Sequence, residues 1–185
     1  IDDISLCESF ARIDEARAEI SLTYFEFGSL AAFDIFHRAE LEGKLDVIIL
    51  EVGLGGRLDV VNLIDADVAL ITSIGLDHTD WLGDTREDIG YEKAGIMRNN
   101  KPVVCSDPDI PQSIQTHAEK IAAPLYRLGT EFNFEQRQID WQWSDENSMR
   151  TALPRPALVG EHQYQNASGA LKVVELLSAR LPVSQ

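Results

Sequence analysis

The stretch IILEVGLGGRLDVVN, from Ile48 to Asn62, joins a buried-strand pattern to a glycine-rich turn. Branched apolar residues run up to Glu51, and three glycines and an arginine follow before the chain becomes polar. Short continuous apolar runs are typical of parallel strands covered on both faces, and open α/β sheets bind ligands at the carboxyl ends of such strands. The stretch therefore predicts an α/β sheet in which Glu51 is a candidate metal- or phosphate-site residue.

Strand and helix patterns alternate along the rest of the chain. Apolar runs predict strands at 46–51, 67–74, 101–106 and 124–128. Helical spacing predicts helices over 29–41 with Ser29 as the cap, from Asp84 or Thr85 to about Met97, over 110–123, and over 163–181. From Thr130 the apolar residues alternate at period two, which predicts an antiparallel β subregion over about 130–159. This order predicts an α/β layered sheet with a small antiparallel portion.

Composition and charge narrow the functional classes. The 185 residues suffice for one domain with a core, and the net charge of −15 argues against binding nucleic acid or an anionic membrane. No apolar run approaches the roughly 20 residues of a membrane span. Cys7 and Cys105 lack zinc-site or disulfide-framework spacing, and no signal peptide opens the chain, so a cytoplasmic location is expected. The missing initiator methionine suggests a piece of a longer protein.

The glycine stretch allows several interpretations. The simplest is a tight turn in which glycines supply positive φ angles. A dinucleotide fingerprint does not fit, because Gly53 and Gly55 are followed by Leu58 where that motif needs glycine. A Walker A loop does not fit either, because no Gly-Lys-Ser/Thr follows. A remaining interpretation is that the glycines let the backbone approach a ligand at the strand end.

Two further segments carry chemically capable side chains. TSIGLDHTDWLG, from Thr72 to Gly83, delivers Asp77, His78 and Asp80 after an apolar strand, so His78 and Glu51 could share one ion. A lone histidine is more often structural, and that alternative stays open. Lys93 in GYEKAGIM is either a solvated lysine paired with Glu87 or Glu92, or a partly buried amine whose neutral, nucleophilic form is favoured.

LTYFEFGSLAAF, ILEVGLGGRLDVVN, TSIGLDHTDWLG, EKAGI and GEHQYQNA together closely resemble the bifunctional dihydrofolate synthase/folylpolyglutamate synthases of bacteria. That family belongs to the Mur ligase superfamily of ATP-dependent amide-forming ligases. The resemblance implies a Mur-ligase-type central ATPase domain. It also implies an ATP- and Mg²⁺-dependent ligase of folate biosynthesis and one-carbon metabolism, which joins L-glutamate to dihydropteroate and to folates through an acyl phosphate.

The resemblance also assigns residues. Glu51 and His78 match the Mg²⁺ ligands, Lys93 matches a lysine carried as a carbamate, and Asn166 matches a nucleotide contact, with His162 nearby. The segments that line the dihydropteroate site match Thr23, Tyr24, Phe25 and Glu26 on one wall and Leu58, Asp59 and Val60 on the other. Val60 replaces the family's usual alanine. From the residues alone, core packing of Tyr24 and Phe25 and a helix-start role for Asn166 remain alternatives.

The sequence departs from the family at its ends. The glycine-rich phosphate loop with its lysine and the C-terminal Rossmann-like domain are missing. Residues 1–185 are therefore expected to be an incomplete central ATP-binding domain, monomeric, and without ligase activity alone. A UDP-muramoyl peptide ligase and a non-catalytic folate- or nucleotide-binding module are the alternative functions.

Overall fold

The computed structural model describes residues 1–183, which form two compact units, Ile1–Val52 and Gly53–Gln185. Within the described range, no helix combines the length and apolar character needed to cross a membrane.

The first unit is built on two packed helices, α1 (Asp3–Arg17) and α2 (Tyr24–Leu41). The guanidinium of Arg12 donates to the carboxylate of Asp34, with Nη2 at 2.6 Å from Oδ2. Hydrogen bonding to Arg12 is the main reason that the pKa of Asp34 is lowered to about 2. The two helices are thus joined by a charge-assisted bond as well as by apolar contacts.

Two predictions about this unit require correction. Helix α2 begins at Tyr24 and not after Ser29, because Thr23 and Glu26 form a capping box six residues earlier. The predicted strand over 46–51 is not formed: these residues lie in no strand and the side chain of Ile49 is 88% exposed. A strand requires a hydrogen-bonded neighbour, and no strand of the described residues pairs with this segment. Helix α1 was not predicted, because it lacks an apolar stripe and buries only Ser9.

The second unit contains a parallel sheet in the order β1-β2-β3. Its strands are shorter than predicted but lie inside the predicted ranges: β1 (Ala69–Ile71), β2 (Val103–Cys105) and β3 (Leu125–Arg127). Val103 and Cys105 belong to a core shared with two helices, whereas Val104, between them, belongs to a core on the other face. The sheet is therefore covered on both faces, as its continuous apolar runs predicted.

Helices connect these strands. The first core is completed by α4 (Arg86–Ala94) and α5 (Gln112–Lys120), while a 3-10 helix (Val60–Leu63) and α3 (Thr79–Leu82) lie in the connections before α4. Helix α4 starts with the predicted capping box of Thr85 and Asp88, and it ends at Ala94 rather than Met97.

A second, antiparallel sheet covers the other face, in the order β4-β5-β6. Its strands lie within the predicted subregion: β4 (Phe132–Gln136), β5 (Trp141–Asp145) and β6 (Met149–Leu153). Helix α6 (His162–Leu177), which ends before the predicted Leu181, packs on it. Trp143 is fully buried between them, and its indole Nε1 donates to the carbonyl of Ser168 at 3.1 Å.

Candidate active site

Residues 53–59, here called the glycine loop, are organised by one carboxylate. Asp59 Oδ2 accepts the backbone N–H groups of Gly53 and Leu54 at 3.0 and 3.2 Å, and Oδ1 accepts that of Val61 at 3.0 Å. Asp59 thus closes the loop and caps the 3-10 helix that follows. Leu58, by contrast, is 79% exposed, so its side chain is accessible from solvent.

The glycines let the loop lie directly against α4. Gly55 and Gly56 have φ angles of +68° and +154°. A Cβ atom on Gly56 would lie 2.9 Å from a methyl carbon of Ile96 and 3.0 Å from the carbonyl oxygen of Glu92. The glycines therefore serve backbone conformation and close packing against the protein itself, in addition to whatever approach to a ligand they permit.

Arg57 fixes the loop to the same helix. Its backbone N–H donates to the carbonyl of Glu92 at 2.9 Å, and its Nη2 lies 2.9 Å from the carboxylate of that residue. This bond raises the pKa of Arg57. Asn62 adds a link by donating to the carbonyl oxygen of Gly95 at 3.0 Å. The loop and the second half of α4 thus form one hydrogen-bonded assembly.

Lys93 lies within this assembly. It is half-buried on α4, and a Cβ on Gly56 would lie 3.3 Å from its Cα. The alternative in which Lys93 pairs with Glu87 or Glu92 is wrong, because Glu92 binds Arg57 and Glu87 accepts the N–H groups of Gln112 and Ser113 at 2.9 and 2.7 Å. Among the described residues, Lys93 Nζ has no hydrogen-bond or ion-pair partner. Its amine is thus left for other chemistry.

His78 occupies the connection between β1 and α4. Its backbone is left-handed (φ 52°), and its carbonyl accepts the N–H groups of Trp81 and Leu82 at the start of α3. Its ring Nε2 lies 3.7 Å from Asp77 Oδ2, and its side chain is 58% exposed. Leu82 contacts the glycine loop, since a Cβ on Gly55 would lie 2.8 Å from a Leu82 methyl carbon. The His78 connection and the glycine loop are therefore neighbours.

The proposed metal ligands lie in different units, Glu51 in the first and His78 in the second. In residues 1–183, no three His, Cys, Asp or Glu side chains form a group that could hold a metal. Mg²⁺ is commonly held by one or two carboxylates together with phosphate oxygens and water, so Glu51 fits that ion, whereas the imidazole nitrogen of His78 is an unusual ligand for it. The assignment of Glu51 and His78 stays a prediction.

The other predicted wall residues lie at the start of α2. Thr23 and Glu26 bind each other, since Glu26 Oε2 accepts the Thr23 N–H at 2.7 Å and its hydroxyl at 2.8 Å. These bonds lower the pKa of Glu26. Tyr24 and Phe25 are 97% and 55% exposed, so the alternative that they pack in the core is wrong. Their rings are available to a ligand.

Asn166 lies in the first half of α6 and is half-buried. Its side-chain amide donates to Gln163 Oε1 at 3.4 Å. The alternative, a hydrogen bond from this side chain to its own backbone, is therefore not what the structure shows. Its neighbour Gln165 accepts a hydrogen bond from Ser73 Oγ at 3.2 Å. This bond connects the start of α6 to the segment after β1, at the carboxyl edge of the parallel sheet.

Sequence reasoning missed Arg86 and Asp107, which bind at this same edge. Arg86 Nη2 lies 3.0 Å from Asp107 Oδ2, and the Asp107 side chain is only 6% exposed. The available signal was an aspartate two residues after a continuous apolar run, in the sequence VVCSDPD.

The parallel sheet covered on both faces, the helix-borne lysine against a glycine loop and the small antiparallel sheet define the class: an α/β domain of Mur-ligase architecture. Residues 32–174 match the Mur ligase middle domain, and the chain belongs to that family.

Two similar proteins are considerably longer than this chain. The dihydrofolate synthase/folylpolyglutamate synthase of Escherichia coli is 51% identical over 164 residues, which are 89% of this chain and 38% of that protein. The Haemophilus influenzae protein of that name is 52% identical over 146 residues, 79% of this chain and 32% of that protein. The chain thus spans about two fifths of the length of the relatives it matches.

Solved structures agree in fold. E. coli FolC in complex with DHPP and ADP superposes with a TM-score of 0.89 at 48% identity, covering 100% of this chain and 42% of that one. The bifunctional synthase of Yersinia pestis complexed with AMPPNP and Mn ion gives a TM-score of 0.87 at 49% identity, with 100% and 42% coverage.

Proposed function

We propose that residues 1–185 are the central, incomplete nucleotide-binding part of an ATP-dependent ligase that adds L-glutamate to dihydropteroate and to folates. The observation that carries the proposal is Lys93, a half-buried lysine with no partner among the described residues, set against the glycine loop. Relatives named dihydrofolate synthase/folylpolyglutamate synthase are about half identical to the chain around these residues.

The reaction defines what the residues must do. The γ-phosphoryl group of ATP passes to a carboxylate oxygen of dihydropteroate or folate, and ADP leaves. The amine of L-glutamate then attacks the acyl carbon, its proton is lost, phosphate departs and an amide remains. Two anions must be brought together in the first step, so positioning and charge stabilisation are the chain's main contributions.

Each proposed residue contributes one part. The exposed rings of Tyr24 and Phe25 would stack on the flat pterin, and Leu58, Asp59 and Val60 would form the opposite wall. Asn166 would hydrogen-bond the nucleotide. Lys93, as a carbamate, would place two oxygens where they order the incoming ammonium or a cation.

The resident divalent metal is proposed to be Mg²⁺, with Glu51 and His78 as ligands. When bound, such an ion would supply positive charge that offsets the negative charge of the phosphate oxygens. We further propose a monomer in the cytoplasm. Both cysteines are free thiols, Cys7 exposed and Cys105 buried, which is in accord with a reducing compartment.

A segment replacement tests the function. The matching part of the E. coli relative is exchanged for this chain, and phosphate release is measured with ATP, Mg²⁺, L-glutamate and either dihydropteroate or a UDP-muramoyl substrate. We expect release only with dihydropteroate or folate, and a loss of about 10²-fold or more in Lys93→Ala. Release with the muramoyl substrate alone, or saturable folate binding without release, would favour the alternatives.

The isolated chain provides a second comparison. It contains no Gly-Lys-Ser/Thr phosphate loop, so we expect no ATP turnover by residues 1–185 alone. An intact mass is recorded on the same sample. Dihydropteroate-dependent turnover by a chain of the correct mass would overturn the proposal that this phosphate loop is required.

A further inference from the structure

The connection that carries His78 is held at a buried residue four positions earlier. Ile74 is only 4% exposed, and both of its backbone groups bind side chains from other segments. Its N–H donates to Asp107 Oδ2 at 2.6 Å, and its carbonyl accepts from Arg86 Nε at 2.9 Å. The polypeptide is thus clamped three residues after β1 ends and four residues before His78.

Arg86 also binds the segment after β2. Its Nη2 donates to Asp107 Oδ2 at 3.0 Å and to the carbonyl of Asp109 at 2.6 Å, and its Nη1 donates to Asp109 Oδ2 at 2.5 Å. Asp107 is fixed in turn, because its Oδ1 accepts the Asp109 N–H at 2.8 Å. We call this set, Arg86 and Asp107 with their bonds to Ile74 and Asp109, the Arg86–Asp107 brace.

The brace joins three segments that sequence separates. Ile74 precedes His78, Arg86 is the first residue of α4, and Asp107 follows β2. Seven residues after Arg86, the same helix carries Lys93. The brace therefore spans the start of the His78 connection and the start of the helix that bears the lysine.

We propose that Arg86 and Asp107 are positioning residues that set the His78 connection against α4, and so fix His78 relative to Lys93. The naming of His78 and Lys93 as site residues rests on the proposed function. The brace acts through the backbone of Ile74, and neither of its charged groups has to touch a substrate.

The guanidinium is necessary for this role because of its shape. Three of its nitrogens donate to four acceptors that lie in different directions. A lysine ammonium is a compact point charge and cannot reach these acceptors simultaneously. Arg86→Lys should therefore fail to restore the order of the connection, although it keeps the positive charge.

The first test is amide hydrogen exchange by NMR on the 185-residue chain without ligands. The variants are Arg86→Gln, Arg86→Lys, Asp107→Asn and the double variant Arg86→Gln/Asp107→Asn. Arg127→Gln is the matched control, because Arg127 is 32% exposed, against 33% for Arg86, and binds Glu131 elsewhere in the unit. We expect exchange of the Ile74 amide, which donates to Asp107, to rise at least about tenfold in each brace variant, which corresponds to losing one net hydrogen bond.

The proposal is decided by which amides change their exchange rates in which variants. Support requires that the amides of β2 keep their rates, that Arg127→Gln leaves the Ile74 amide unchanged, and that the double variant is no faster than the single ones, because one coupled unit is lost only once. Unchanged exchange at Ile74, full rescue by Arg86→Lys, or an equal rise throughout the sheet would overturn the proposal.

A kinetic measurement in the segment-replacement enzyme separates this proposal from the proposed function. At saturating ATP we expect Arg86→Gln to lower kcat about tenfold or more with little change in the KM for ATP, while Arg127→Gln changes neither. A lowered kcat/KM that comes only from a raised KM for ATP, with kcat unchanged, would contradict positioning. If the unsubstituted replacement enzyme is inactive, the proposed function fails while the exchange result still decides the brace.

Discussion

The glycine loop with α4 and the antiparallel sheet with α6 belong to the same unit, but different interactions hold them. The sheet is held by buried aromatic residues, with Trp143 fully enclosed and Phe134 stacked on Tyr164 at a centroid distance of 6.1 Å. The loop is held by bonds from Asp59 and Arg57 to backbone and side-chain groups, while Leu58 remains exposed. Apolar burial therefore supports the unit, and polar bonds place the chemically capable loops.

Trp143→Ala should have the largest effect on stability. Its side chain is fully buried and its indole N–H bond to Ser168 would be lost, so we expect the free energy of unfolding to fall by about 3–5 kcal/mol. Urea unfolding followed by circular dichroism measures the change. Trp81→Ala is the control, because Trp81 is 80% exposed and should change stability by less than about 0.5 kcal/mol. Equal losses in both variants would contradict the contrast between the two regions.

The buried ion pair of the sheet region should have the next largest effect. Lys172 Nζ lies 2.8 Å from Asp145 Oδ2, and the two side chains are 5% and 4% exposed. Lys172→Met leaves a buried carboxylate without its counter-charge, so we expect a loss of about 3 kcal/mol at neutral pH by urea unfolding. Lys101→Met, which removes a half-exposed pair with Asp67, should cost less than about 1 kcal/mol.

The same pair predicts a pH dependence. Burial raises the pKa of Asp145, but bonds from Lys172 and from two backbone N–H groups outweigh burial and leave the pKa below 3.8. A lowered carboxyl pKa stabilises the fold above the unfolded-state value, and this stabilisation is lost as pH falls through the folded-state value. The difference between the Lys172→Met variant and the parent chain should therefore shrink below pH 3.8. A difference that is constant across that range would show that packing alone is responsible.

Gly95→Ala tests the loop side. A Cβ atom at Gly95 would lie 2.3 Å from Cβ and 2.6 Å from Cα of Arg57, so the glycine loop would have to move away from α4. We expect a loss of about 1–3 kcal/mol in chemical unfolding. Gly28→Ala is the control. Gly28 lies in helix α2, and an added Cβ there would meet no atom within 4 Å, so we expect the free energy of unfolding to rise by up to about 1 kcal/mol. A neutral Gly95→Ala variant would mean that the loop tolerates displacement.

The smallest effect is expected for Glu87, which caps α5 from α4. Bonds from the N–H groups of Ser113 and Gln112 lower its pKa below 4.5. Its contribution is thus present above pH 4.5 and is lost as pH falls through the lower folded-state value. Between about pH 7 and about pH 3, the Glu87→Gln variant should therefore lose less stability than the parent chain. Glu119→Gln, on the exposed side of α5, should lose as much as the parent. Identical acid profiles for all three proteins would contradict this.

Much of the fold was predictable because its signals are local. The apolar runs gave the three parallel strands, period-two alternation gave the antiparallel sheet, and Thr85 with Asp88 gave the start of α4. The strand over 46–51 failed although its apolar run is strong, because pairing depends on a neighbour that the run itself does not specify. The prediction for the start of α2 was wrong because a capping box of Thr23 and Glu26 lies six residues before Ser29.

The candidate site was less predictable for a similar reason. The residue types at Glu51, His78 and Lys93 were identified from their positions after strands and among small residues, and their roles remain proposals. The ion-pair partner of each charged group could not be identified from the sequence. Glu92 pairs with Arg57, and Asp107 pairs with Arg86. Such pairs join residues 21 to 35 positions apart, and no local pattern encodes them.

The sequence by itself determined the α/β architecture and the kinds of side chain delivered to the ends of the strands, because hydrophobic periodicity and capping act over a few residues. Only the tertiary structure decided that the glycines pack against α4, that Lys93 has no partner among the described residues, and that Arg86 clamps the segment before His78. These features depend on which distant segments meet once both faces of the sheet are covered, and on polar contacts that exist only in the folded chain.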